Sequence, residues 1–169
     1  MATASGTLKV GTTLENLQAA FNGESNARAR YLAFAKKAAQ DGYNKAAALF
    51  NAAAAAEEIH AREHGRVIRS LGAEPTASIV DSEVKTTLEN LKAAFAGECY
   101  EKDVMYPEFI KVAEEDGNRS AVRSFKWALR AEGEHASLYE EAINNLEDWK
   151  ISDTTFLVCP KCGYTTTEL

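Results

Sequence analysis

The sequence predicts an all-α protein: a four-helix bundle built from two repeated helical hairpins, with a short tail behind it. Three observations predict this. First, the chain repeats itself. Thr13-Leu14-Glu15-Asn16-Leu17 returns as Thr87-Leu88-Glu89-Asn90-Leu91, and Ala19-Ala20-Phe21 with Gly23-Glu24 returns as Ala93-Ala94-Phe95 with Gly97-Glu98. Second, apolar residues recur at alternating three- and four-residue spacing through each copy. Third, the connections run short, long, short, which suits a bundle with one crossover.

The first helix starts behind Thr12, which forms a capping box with Glu15. Its inward stripe reads Leu14, Leu17, Phe21, Glu24, Arg28, Tyr31, Ala35 and Ala38. Gln40-Asp41-Gly42 supplies a turn. The second helix carries Ala46, Phe50, Ala53, Glu57, His60, His64, Val67 and Leu71 on one face, and Gly72 followed by Pro75 stops it. Residues 72–85 form the crossover. Thr86 with Glu89 repeats the capping box for the third helix. Tyr31, Phe34, Glu57 and His60 are matched by Tyr106, Phe109, Glu132 and His135 at an offset of 75 residues, whereas the earlier matches sit at 74. One residue was therefore gained between Glu98 and Tyr106, beside Pro107. Proline inside a helix removes a donor and crowds the carbonyl four residues back. An extra residue absorbed as a π-bulge accommodates both, and the period resumes at Phe109 and Val112. A plain break near Tyr106 is the alternative. After Glu115-Asp116-Gly117, the last helix aligns Ala121, Phe125, Ala128, Glu132, His135, Tyr139, Ala142 and Leu146. The expected division is a bundle over residues 1–148 and a tail over 149–169 with a single C-x-x-C.

At 169 residues and 46% hydrophobic content the chain can bury a core, and its formal charge of -6 argues against nucleic acid as a partner. The longest apolar run, Ala46–Ala56, is broken by Asn51 and ends at Glu57-Glu58, so no membrane span is expected. MATASGTLKV lacks the charged start and apolar run of a signal peptide, so a reducing, cytoplasmic setting is expected. Three cysteines are too few for a disulfide scaffold, and Cys159 and Cys162 read first as metal or redox ligands.

Glu24, Glu57, His60, Glu98, Glu132 and His135 all occupy inward positions. A buried carboxylate needs a cation, a proton or a hydrogen-bond donor. Glu57-x-x-His60 and Glu132-x-x-His135 place carboxylate and imidazole one turn apart on one face. One such pair means little; two at matching places, each with an inward glutamate on its partner helix, form the ligand set of a carboxylate-bridged dinuclear metal site. Oxygen donors with one imidazole per metal suit iron or manganese. The competing reading is a salt-bridged polar layer, which needs buried cations, and the stripes offer only Arg28 near Glu24. Glu101, one turn after Glu98, makes the two metal positions unequal, unless it is a solvated glutamate beside Lys102. Tyr31 and Tyr106 read as hydrogen-bond donors to ligand carboxylates, with plain core tyrosines as the alternative. His64 lies too far along its helix to ligate and reads as a core or supporting histidine. Cys99 reads as a small buried residue.

Gly23-Glu24 with Tyr31, Glu57-Glu58-Ile59-His60-Ala61, Gly97-Glu98-Cys99-Tyr100-Glu101 with Tyr106-Pro107-Glu108-Phe109, and Glu132-Gly133-Glu134-His135-Ala136 resemble the rubrerythrins, ferritin-like di-iron proteins, over residues 12–169. The resemblance implies a ferritin-like bundle holding two irons. It implies that Glu24, Glu57, Glu98, Glu101, Glu132 and His135 ligate the oxidised pair, and that His60 replaces Glu101 when one iron shifts on reduction. It further implies a peroxidase reducing hydrogen peroxide to water with electrons from a protein donor, defence against oxidative stress, and a homodimer with bundles side by side or exchanging helices. Two ferrous ions a few ångströms apart suit two-electron delivery to a peroxide. A dioxygen-dependent ferroxidase or oxidase, and an iron-storage protein, are the competing functions. Val158-Cys159-Pro160-Lys161-Cys162-Gly163-Tyr164 matches the first of the two knuckles of a rubredoxin-like domain, and no second knuckle follows before Leu169. A truncated chain, two tails sharing an iron or zinc ion across a dimer, and a remnant that binds nothing are the three readings. A separate rubredoxin or reductase is the expected donor.

Overall fold

The computed structural model describes residues 8–151 and 154–167. The N-terminal MATASGT, read above for a leader, lies outside the described residues. Five α-helices build the four-helix bundle: α1 (Thr13–Gln40), α2 (Asn44–Ser70), α3 (Thr87–Tyr100), α4 (Tyr106–Glu115) and α5 (Arg119–Asn144). α3 and α4 are one bundle helix, joined through a π-helical stretch over Glu101–Met105. There the Tyr106 N–H donates to the Glu101 carbonyl, five residues back. The extra residue is thus absorbed as expected, without breaking the helix.

Both capping boxes form: Thr12 accepts from the Glu15 N–H and Thr86 from the Glu89 N–H, with each glutamate reaching back to the cap N–H. The repeat goes further than its caps. Asn16 and Asn90 each clasp the incoming chain, bonding the N–H and C=O of Gly11 and of Lys85. Thr13 donates to Asp116 in the α4–α5 turn (2.6 Å), and Thr87 to Asp41 in the α1–α2 turn (2.8 Å). Each hairpin's start is therefore tied to the other hairpin's turn. Gly42, Gly72 and Gly117 take positive φ just past their helices, where a side chain would be strained.

The crossover has no helix or strand of its own, yet its backbone is held. Gln18, Asn22 and Asn26, four residues apart on α1, bond the main chain of Glu74, Thr76, Ser78 and Val80. These amides satisfy groups that the crossover cannot pair internally.

Two apolar clusters fill the bundle. One holds Tyr31, Phe34, Phe50, Leu91, Tyr139 and Trp149; the other holds Leu17, Val67, Ile68, Tyr106, Phe109 and Phe125. Between these positions along α1 and α2 come Glu24, Glu57 and His60, so the polar residues form a layer between apolar halves. Leu71 departs from its expected place: it lies past the end of α2 and is 43% exposed. Leu146 sits in a short 3₁₀ turn after α5 and is half-buried.

The tail pairs two short antiparallel strands, β1 (Leu157–Val158) and β2 (Thr165–Thr166), around the Cys159–Cys162 loop. It packs across α2 and α5. Gly163 makes this approach feasible: its φ is +75°, and a Cβ there would fall 2.3 Å from the His60 Nε2. Among the described residues no helix is long and apolar enough to cross a membrane.

Candidate metal centre

Each element delivers one part of the polar layer. α1 brings Glu24, α3 Glu98, α2 the pair Glu57 and His60, and α5 the pair Glu132 and His135, all buried. The three-residue spacing within each pair turns both side chains to one face. Two groups result, each with its ligand atoms within 4.8 Å of one another: Glu24, Glu57, His60 and Glu132, and Glu57, Glu98, Glu132 and His135. Glu57 and Glu132 belong to both groups, the arrangement of bridging carboxylates between two ions. The remaining ligands divide evenly, one glutamate and one imidazole Nδ1 to each side.

A metal pair fits what the layer lacks. Glu24 Oε2, Glu57 Oε1, Glu98 Oε2 and Glu132 Oε1 are buried without a hydrogen-bond partner. Their ion-pair partners among the described residues are histidines alone. Arg28, the one cation on the stripes, turns outward to Glu58 at 3.5 Å. Among the described residues, no lysine or arginine ion pair reaches the four carboxylates, so the salt-bridged polar layer has only histidines to draw on. Four carboxylates with neutral imidazoles match the charge of two divalent ions, and this oxygen-rich donor set suits iron or manganese.

Protonation of the protein alone shows the same strain. Burial and neighbouring carboxylates push the Glu57 and Glu98 carboxyls well above the ordinary range, and burial raises that of Glu132. Burial pulls His60 down, but Glu132 and Glu24 outweigh it and lift the imidazole to about 9. Burial would raise Glu24 too, yet the nearby His64 and the charge of His60 bring it below the usual value. In the protein alone, protons on the carboxyls and on His60 offset the charge that a metal pair would balance.

The surrounding hydrogen bonds fix which nitrogen faces the centre. Thr165 Oγ1 donates to the Gly163 carbonyl (3.1 Å), so its oxygen accepts from His135 Nε2–H (2.9 Å). The Cys162 carbonyl accepts from His60 Nε2–H at 3.1 Å. Both imidazoles thereby present Nδ1 to the carboxylates, His60 within 2.9 Å of Glu57 and His135 within 2.9 Å of Glu132. Tyr31 donates to Glu98 (2.7 Å) and Tyr106 to Glu24, each tyrosine serving the glutamate of the other hairpin. Tyr106 in turn accepts from His64 Nε2–H (3.1 Å), whose Nδ1 accepts from Ser124 (2.7 Å). His64 thus supports Glu24 through Tyr106. Its repeat counterpart Tyr139 has a hydroxyl with no hydrogen-bond partner among the described residues, so the two halves are not equivalent.

Three sequence candidates stand apart from these groups. Glu101 opens the π stretch, half-buried, and joins neither. Burial and the charges of Glu24, Glu98 and Glu132 raise its carboxyl well above the ordinary range, with Arg30 pulling the other way. Cys159 and Cys162 lie in the tail loop as free, half-exposed thiols. N–H groups of Lys161 and Cys162 aimed at the Cys159 sulfur hold its thiol below the usual value. Cys99 is also half-exposed, contrary to the buried position expected of it. Ser124 and Thr165 escaped the sequence reading: neither is near a ligand in sequence, and only folding brings them to the layer.

A family model described as Rubrerythrin matches residues 15–143. Nigerythrin of Nitratidesulfovibrio vulgaris is 43% identical over 157 residues, spanning 92% of this chain and 76% of that protein. The rubrerythrin of Porphyromonas gingivalis is 35% identical over 164 residues, covering 95% and 82%. The fully reduced, all-ferrous structure of nigerythrin aligns with a TM-score of 0.89 at 40% identity, over 97% of this chain and 81% of that one. Bacterioferritin of Desulfovibrio desulfuricans aligns at 0.73 with 24% identity over 80% of each chain, and shares the fold alone. Sequence, bundle and carboxylate–histidine layer agree, and the chain belongs to the rubrerythrin family.

Proposed function

We propose that this protein is a non-haem di-iron peroxidase, reducing hydrogen peroxide to water with electrons from a protein donor. The observation that carries this reading is the inequality around the layer: two groups share Glu57 and Glu132, while a further carboxylate, Glu101, stands just outside them. In this reading Glu24 and His60 would hold one iron and Glu98 and His135 the other, with Glu57 and Glu132, common to both groups, available to each. When bound, two ferrous ions supply two electrons to a peroxide, which takes up two protons and leaves as two waters.

The chain's own residues set the conditions. Tyr31 and Tyr106 keep Glu98 and Glu24 oriented by donating to them. The apolar clusters on either side exclude bulk water. Glu101 holds its proton more tightly than an ordinary glutamate while it stays out of the ligand set. With a metal pair bound, Glu101 would offer a further carboxylate on losing that proton, and the family resemblance implies that it would exchange places with His60. The arrangement with His60 inside and Glu101 outside matches what the family resemblance implies for the reduced state. In this reading the bundle over residues 1–148 carries this chemistry, and 149–169 is a partial rubredoxin-like tail with a single C-x-x-C.

Stopped-flow oxidation of the anaerobic, iron-loaded protein tests the reading. Peroxide should oxidise it much faster than dioxygen, at one peroxide per two irons. A preference for dioxygen would move the protein to the ferroxidases or oxidases, and uptake of many irons per chain would make it a storage protein.

A further inference from the structure

The face where α5 meets the tail loop carries several cations that form no ion pair among the described residues. A groove of about 530 Å³ is floored by Ala113, Val122 and Trp127 and rimmed by Arg119, Arg123 and Lys126. Trp127 lies between two cations: the Arg123 guanidinium carbon and the Lys161 Nζ are each 5.4 Å from its ring centre. Lys161 stands between Cys159 and Cys162, so the patch runs into the cysteine loop. Beyond it, Arg130 covers the Tyr164 ring at 4.7 Å, and Arg62 donates to the Pro160 carbonyl at 2.8 Å. Of the acids near this face, Glu114 is paired with Lys126 at 2.7 Å, Glu63 lies beside Arg62, Glu134 accepts from Tyr164, and Glu115 and Asp116 flank the groove between Glu114 and Gly117. Arg119, Arg123, Arg130 and Lys161 form no ion pair among the described residues. In a chain of net charge -6 such a concentration runs against composition.

We propose that this basic, aromatic-floored face is the docking surface for a small acidic protein that carries one electron at a time. The inference rests on the peroxidase reading and names where its donor binds. Charge complementarity selects an acidic partner, and the half-buried Trp127 supplies the apolar contact that such an interface centres on. A partner seated here touches the loop whose Cys162 carbonyl is bonded to His60, and so meets the one described segment that joins the surface to both histidines. Each docking passes one electron from a ferrous donor centre to a ferric ion of the pair. Two dockings restore two ferrous ions and leave two oxidised donors.

The probe is a reduced rubredoxin of net negative charge, with the full, iron-loaded chain oxidised by peroxide. In R119E/R123E the second-order rate of electron transfer at low salt should fall roughly 10-fold or more, and its dependence on salt should flatten. K36E, an exposed charge reversal on α1, should behave as the wild type, and turnover with a small uncharged phenylenediamine reductant should be unchanged in both. NMR shifts on titrating the rubredoxin should map to α5 and the tail loop. Equal rates in all three proteins, equal losses in R119E/R123E and K36E, or shifts on another face would overturn the proposal. So would self-association of the chain that R119E/R123E abolishes without rubredoxin binding there. Docking on this face without peroxide turnover under any reductant would instead leave the surface standing and remove the peroxidase reading.

Discussion

At the scale of single residues, the candidate ligands are set by what stands behind them. Thr165 is the clearest case: its hydroxyl is committed to the Gly163 carbonyl and can only accept from His135. Thr165→Val removes that acceptor and frees the ring to choose its other tautomer. Metal affinity should then weaken by about 10-fold, as expected for a lost support behind a histidine ligand. Thr165→Ser should restore it. Nitrogen NMR of the His135 ring in the metal-free protein reads the tautomer directly, and an unchanged tautomer in the valine variant would remove this role. Glu101 poses the opposite test, because it lies outside both ligand groups. Glu101→Ala should fold with a wild-type melting temperature and load two metals when reduced, yet turn peroxide over more slowly. Full peroxidase activity there would cancel the part assigned to Glu101.

At the scale of elements, the repeat is what holds the layer in register. The Thr13–Asp116 and Thr87–Asp41 bonds tie each hairpin to the other's turn, and the bond to Lys37 together with that from Thr87 keeps the Asp41 carboxyl below its usual value. Asp116→Ala should cost about 1 kcal/mol, read as a melting temperature lower by about 2–4 °C. Gly163→Ala acts on the tail instead: positive φ and a clash with His60 should both displace the loop. Its footprint should appear as faster proteolysis after the bundle, with α1–α5 intact by circular dichroism. Helix starts, turns, the buried glutamate–histidine pairs and the bulge at Glu101–Met105 were all legible because each is written locally, in a cap, a spacing or an offset of one residue. The tail's seat on α2 and α5 was not. It depends on Arg62, His60 and His135 meeting residues some thirty to a hundred positions later, and no periodicity encodes that. Leu71 and Cys99 were misplaced for a related reason: a stripe gives direction, but not where the helix ends or what covers its flank.

At the scale of the whole molecule, the layer makes stability fall with pH without metal and removes that fall with metal bound. The unfolded chain has ordinary acids and histidines, whereas the metal-free fold retains protons on Glu57, Glu98, Glu132 and His60 that the unfolded chain releases. Where the folded state binds more protons, stability falls as pH rises. The His60 contribution is complete below its ordinary 6.5 and is lost as pH climbs through about 9. Buried His64 and His135 are pulled the other way, but both states hold them neutral above pH ~7, so they add no slope there. Glu24, lowered in the fold, is ionised in both states at these pH values. From about pH 7 to about pH 9 the metal-free melting temperature should therefore decline. Metal binds the deprotonated ligands and displaces those same protons, so the loaded protein should show no such decline, and the gap between the two should widen with pH. Calorimetry of both forms across this range decides the matter. A metal-free protein that grows more stable toward pH 9 would mean that the buried carboxylates carry no excess protons, and that something other than a missing cation balances them.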